Sequence, residues 1–198
     1  MNPFESYVFQ EISAALKSVS QDDLPDIYVL SLHVFDLDDD PRRPLVQLGY
    51  NTNVQVRAST PTDDAGPGCP FASDALEARW NFAFWLQNEL LSIGEPGTTA
   101  GNLLEEQLKS EQLWYSDEDI VTDEQRTYEL DPQITARFVK MLVRVVQALH
   151  ATGVIVERFG RPLPVLVHEL EYYDAIVRQN AEANPAGLTD DFAAWVGR

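Results

Sequence analysis

The stretch Asp26-Ile27-Tyr28-Val29-Leu30-Ser31-Leu32-His33-Val34-Phe35-Asp36-Leu37 decides the fold. Ile27, Val29, His33 and Phe35 alternate with Tyr28, Leu30, Leu32 and Val34, so apolar side chains point to both faces of a strand. A strand apolar on both faces belongs in a sheet that is covered on two sides. The link that follows, Asp38-Asp39-Asp40-Pro41-Arg42-Arg43-Pro44, is rich in turn formers. Leu45 to Arg57 then reads as a second strand, with Val54 and Val56 alternating with Gln55 and Arg57. The link is too short for a parallel crossover, so the two strands are predicted to pair as an antiparallel hairpin.

Helical periodicity surrounds this hairpin. Phe4, Val8, Ile12, Ala15, Leu16 and Val19 recur at helical spacing over 4–19, behind Pro3. After a loop from Ala58 to Ser73, Asp74 and Glu77 resemble a capping box opening a long helix. Its stripe would be Leu76, Trp80, Ala83, Phe84, Gln87 and Leu91, and Gly94 to Gly97 would end it. Residues 103–114 read as a short helix and the acidic segment 115–130 as irregular. The strongest periodicity, Ile134, Phe138, Met141, Leu142, Val145, Val146 and Leu149, predicts a helix over 132–152 with Asp131 as cap and Pro132 at its first position. Residues 154–159 and 163–167 read as two short strands around Gly160-Arg161-Pro162, with Pro164 marking an edge. Residues 172–183, with Tyr173, Ile176 and Val177 facing in, and a final segment capped by Thr189 read as helices. The order α-β-β-α-α-α-β-β-α-α predicts one α+β domain over 1–198. It would be a mainly antiparallel sheet of about four strands packed with five or six helices.

Composition sets the partners. Of 198 residues, 14 are Lys or Arg and 32 are Asp or Glu, for a formal net charge of −18. Such a chain repels the phosphate backbone of nucleic acid and an anionic membrane surface. One cysteine, Cys69, excludes a disulfide framework within the chain. No apolar run of about 18 residues predicts a membrane span, and Met1-Asn2-Pro3-Phe4-Glu5 lacks the basic start of a signal peptide, so a cytoplasmic location is expected. Residues 101–131 hold ten acids and two bases, and Asp36, Asp38, Asp39 and Asp40 form a second acidic cluster. Charge runs of this kind form solvated faces, and they also attract basic partners over long range.

Motifs for chemistry are missing. There is no phosphate-binding Gly-rich loop, and Gly66-Pro67-Gly68 is too short and Pro-rich to be one. No Gly-x-Ser-x-Gly elbow occurs, and Cys69 between Gly68 and Pro70 lacks the basic neighbour that would activate a thiol. His168-Glu169-Leu170-Glu171 places three polar groups together, but a strand would turn His168 away from Glu169 and Glu171. No catalytic residue, metal ligand or cofactor is assigned. Local character concentrates in Ala78 to Trp85 and in His168 to Asp174, where core packing and a binding hot spot are both open.

Asn51-Thr52-Asn53, Glu77-Ala78-Arg79-Trp80-Asn81 and Leu170-Glu171-Tyr172-Tyr173-Asp174 resemble segments of uncharacterised bacterial α+β proteins, some of which are similar to immunity proteins of polymorphic toxin systems. That resemblance implies a stoichiometric, non-catalytic inhibitor of a basic toxin. The expectation is an acidic cytoplasmic protein that binds a basic protein partner. Its partner-binding residues would be Asp117, Glu118, Asp119, Asp123 and Glu124, with Trp114 and Tyr115 as aromatic anchors. The alternatives are a small-ligand or enzyme pocket near Arg79, Trp80, Asn81, His168 and Glu169, and a structural subunit forming a homo-oligomer through Trp80 and Trp85.

Overall fold

In a computed structural model that describes residues 1–60 and 71–198, Ile27–Asp36 is a ten-residue interior strand, β1. Pro44–Thr52 (β2) pairs with it antiparallel, Leu91–Ile93 (β3) continues antiparallel beyond β2, and Val165–His168 (β4) lies parallel to β1 on its other side. The sheet order is therefore β3-β2-β1-β4. The architecture is α+β, with nine α-helices among the described residues where five or six were expected.

As its two apolar faces require, β1 is covered on both sides. On one, Leu30, Leu32 and Val34 join Val46, Leu48, Val165 and Val167 beneath the helices α1 (Pro3–Ser18) and α6 (Glu124–Ala151), which contribute Ile12, Phe138 and Leu142. On the other, Val29 and Leu166 meet an aromatic cluster built from Trp80, Phe82, Trp85 and Phe192. Tyr28, at a register shift in the β1–β2 ladder, joins the aromatic side. Buried polar groups pin the layers together. Glu5 closes the α1 capping box with Asn2 and, 1% exposed, also accepts from the Arg144 guanidinium of α6.

The outer side of β4 is satisfied by side chains of α8 (Asp174–Ala183) and its C-cap. The Asn180 amide accepts from the backbone N–H of Val167 at 2.8 Å and donates to the Val167 carbonyl at 2.9 Å; Asn184 does the same for Val165 at 2.8 and 2.9 Å. Two residues along a strand and four along a helix both advance about 6 Å, which is why one asparagine pair fits this edge.

Several elements differ from the sequence reading. Asn53–Ser59 is a helix (α2), so β2 stops at Thr52, whose hydroxyl caps α2 by accepting from the N–H of Gln55. The long helix expected after Asp74 is only Ala75–Trp80 (α3). Asn81 is extended and its side chain caps a 3-10 turn at Phe82–Phe84, after which Leu91 enters the sheet. Breaking the helix there lets Trp80, Phe82 and Trp85, which one helix would fan apart, all reach the same buried cluster. The short helix read at 103–114 is Thr99–Ser110 (α4). The segment read as irregular contains Asp117–Thr122 (α5), opened by a capping box of Ser116 and Asp119, and the first turns of α6.

Asp131 therefore does not cap α6; Asp123 does, and Pro132 lies inside the helix. The carbonyl that Pro132 deprives of a donor belongs to Tyr128, a residue 77% exposed, so the missing bond falls on the solvent side of the helix. The first strand read after Gly153 is instead the one-and-a-half-turn helix Val154–Phe159 (α7), bracketed by Gly153 and Gly160 at φ of 79° and 69°. Its buried pair, Ile155 and Phe159, is spaced i, i+4, while Val156 is exposed. Tyr173, expected to face in, is exposed, and Thr189 makes no side-chain cap to Asp190–Val196 (α9). Cys69 and Gly66-Pro67-Gly68 lie outside the described residues.

Candidate functional site

The acidic runs that sequence separates by some 80 residues meet through one guanidinium. Arg42 binds Asp40 at 2.7 Å and Asp117 at 2.7 Å, and it stacks over the Tyr115 ring at 5.1 Å. Asp40 is held below the usual carboxylate range chiefly by that hydrogen-bonded arginine. Of the ten acids in 101–131, three (Glu105, Glu111 and Asp117) form ion pairs among the described residues, so the segment keeps most of its charge outward.

The named partner-binding residues divide by role. Glu118 and Glu124 are exposed on α5 and at the start of α6; Asp119 and Asp123 are helix caps whose carboxylates still reach the surface. Trp114 is half-buried beneath Lys109. Tyr115 is a correction: it is 4% exposed, and its hydroxyl donates to Asp131, so it is core and offers no anchor. The apolar groups presented among these acids are instead Ile120, Val121 and Tyr128, at 41%, 85% and 77% exposure. Their sequence signal was position: Tyr128 falls off the buried stripe of α6, and Ile120-Val121 interrupts an acidic run.

The pocket expected near Arg79, Trp80 and His168 is filled. All three of the stretches behind the family resemblance converge here. The Arg79 guanidinium lies 3.9 Å from the Tyr28 ring centroid and donates to Asn53 at 3.0 Å; Asn51 donates to the Tyr28 hydroxyl at 3.0 Å, and Tyr172 accepts from the Phe82 N–H at 3.1 Å. His168, fully buried, packs against Phe82, Trp85 and Tyr172 with ring centroids 4.9 to 5.8 Å away. The Ser31 hydroxyl donates to His168 Nε2 at 2.8 Å, and Nδ1–H donates to the Glu169 carbonyl at 2.9 Å. This has the form of a nucleophile and base. Ser31 is 2% exposed, however, and the imidazole is pushed down to about 3 by burial, so the pair is a neutral structural link.

Open space lies just beyond, at the carboxyl ends of the parallel strands β1 and β4. A cleft of about 380 Å³ is lined by His33, Phe35, Asp36, Thr135, Glu169 and Tyr173. Asp36 is pushed up to about 6, first by burial and then by Glu169, Asp40, Asp131 and Asp39 around it. Glu169 is also raised and His33 lowered, both by burial. Asp36 Oδ1 and His33 Nε2 have no hydrogen-bond partner among the described residues. A second groove, of about 590 Å³, opens between α3 and α9, with Asp74, Glu77, Asn81, Tyr172 and Trp195 on its walls. Of the residues named for the small-ligand reading, Glu169 thus faces one opening and Asn81 the other. Among the described residues, no three His, Cys, Asp or Glu side chains are grouped to hold a metal ion.

Comparison with known proteins finds no matching family model, curated protein or solved structure.

Proposed function

We propose that this chain is an acidic, non-catalytic binding protein of the immunity type, acting in the cytoplasm on a basic protein partner. The observation that carries the reading is the Arg42 bridge. It gathers the 36–40 and 117–131 acids at one end of the sheet, where most of them stay unpaired and where Ile120, Val121 and Tyr128 stand exposed among them. Surface charge of one sign accelerates encounter with its opposite, and exposed apolar side chains within it supply the contact that persists after encounter.

The test uses the protein encoded by the neighbouring gene as partner. A one-to-one complex is expected whose association rate falls steeply with ionic strength. Changing Asp117, Glu118, Asp119, Asp123 and Glu124 to Asn or Ser, which leaves capping oxygens at 119 and 123, is expected to slow association by about tenfold or more. Association that ignores both salt and these five changes refutes the reading.

A further inference from the structure

Beyond the face formed by α5 and the start of α6, the molecule carries a second feature. The turn from β4 into α8 projects Leu170, 69% exposed, with Tyr173 at 49% exposure beside it. Leu170 and Glu171 wall both the 380 Å³ cleft and the 590 Å³ groove, so this turn is a ridge with an opening on each flank. The openings share one electrostatic sign. Five carboxylates line them (Asp36, Glu169, Glu171, Asp74 and Glu77), and the one Lys or Arg on their described walls, Arg198, is already drawn to Asp74 at 3.4 Å. Each flank also has aromatic walls, Phe35 and Tyr173 on one side and Tyr172 and Trp195 on the other.

We infer that the Leu170 ridge is a docking surface for a basic, aliphatic segment of a partner protein, with an arginine or lysine side chain entering the opening on each flank. Three features on this surface fit that occupant. An exposed leucine beside a half-exposed tyrosine supplies apolar contact. The carboxylates attract cationic side chains, and the aromatic walls suit guanidinium and ammonium groups by cation–π contact. Two openings separated by one apolar projection match a segment whose cationic residues flank an aliphatic one. A second copy of this chain is disfavoured as occupant, because it would bring the same carboxylates against themselves. The inference rests on the proposed basic partner but assigns it a surface that meets the acidic end of the sheet at Asp36 and does not include the α5 face.

The experiment is a titration of the full chain, observed by amide and indole NMR, with the peptide acetyl-Arg-Leu-Arg-Leu-Arg-amide and with its glutamate-for-arginine counterpart. The arginine peptide is expected to give saturable shifts at Leu170, Glu171, Tyr173 and the Trp195 indole. Leu170→Glu and Glu171→Lys, both at exposed positions, are each expected to weaken it by about tenfold. The five-residue variant at 117–124 is expected to bind it within about twofold of the native chain. Unsaturable shifts, equal binding of the glutamate peptide, or indifference to both ridge variants would overturn the assignment. So would free arginine amide binding as tightly as the peptide, which would make the openings small-molecule sites. If shifts instead map to 117–129 and vanish in the five-residue variant, the ridge is refuted while the basic-partner reading survives. If neither surface responds, the ridge is refuted, and the basic-partner reading is decided by the association experiment with the partner protein.

Discussion

Acidification is expected to strain the molecule at His168. The imidazole is fully buried and its two nitrogens are already used, one accepting from Ser31 and the other donating to the Glu169 carbonyl. Its folded-state value of about 3 lies below the ordinary 6.5, so the unfolded chain takes up the proton first. Stability is therefore lost as pH falls from 6.5 toward 3. At pH 5 an unfolded histidine is almost fully protonated and this one is not, and the linkage costs about 2 kcal/mol relative to pH 7. For a chain of this length that is a fall of roughly 6 °C in Tm. Many carboxylates also titrate, so the quantity to measure is a difference. Urea unfolding of the native chain and of His168→Gln at pH 7 and pH 5 should show the native chain losing about 2 kcal/mol more than the variant. NMR supplies a direct check, because the His168 ring should not titrate above pH 4. A ring that titrates near 6.5 would mean that water reaches it past Phe82, Trp85 and Tyr172, and the description of a sealed aromatic layer would fail.

Asp36 carries the opposite sign. Its carboxyl is raised to about 6, so the native chain gains stability as pH falls from above 6 toward 3.8. Its burial is only partial, which discounts the nominal shift, and Asp36→Asn should stabilise the protein by about 1 kcal/mol at pH 7.5 and by nothing at pH 3.5, read by urea midpoints. Asn180→Leu should cost about 2 kcal/mol, because it leaves the N–H of Val167 buried without a partner while the Val167 carbonyl keeps the Gln179 amide, and the loss should appear as faster amide exchange at Val167.

Legibility in the sequence followed the strength of period. β1, α1 and the core stripe of α6 were readable because ten or more residues repeated one pattern against a defined core. Short apolar segments were not. Val154–Phe159 fits a two-residue alternation and a single i, i+4 pair equally, and only the two glycines at positive φ and the packing of Ile155 and Phe159 select a helix. Residues 75–91 carry an aromatic stripe that suggests one helix, whereas the aromatic cluster rewards breaking it at Asn81. The acidic segment's charge was visible, but its apolar surface was misassigned to Tyr115. A buried tyrosine and an exposed one look alike until Asp131 and Arg42 are seen around the first. The ridge at Leu170 had no periodic signature, since it depends on helices from distant parts of the chain, α6 on one flank and α3 and α9 on the other, leaving room on either side.

The asparagine pair on the outside of β4 bears on how any partner can be recognised. A sheet margin with free peptide groups invites an incoming chain to lengthen the sheet, whatever its side chains are. Asn180 and Asn184 occupy those groups with amides from the chain's own helix, and the opposite margin, β3, is three residues long. Grafting a foreign strand is thereby denied at one border and given little purchase at the other. A partner of the kind proposed would therefore be met through the shape and charge of side chains, the mode that discriminates one partner from another.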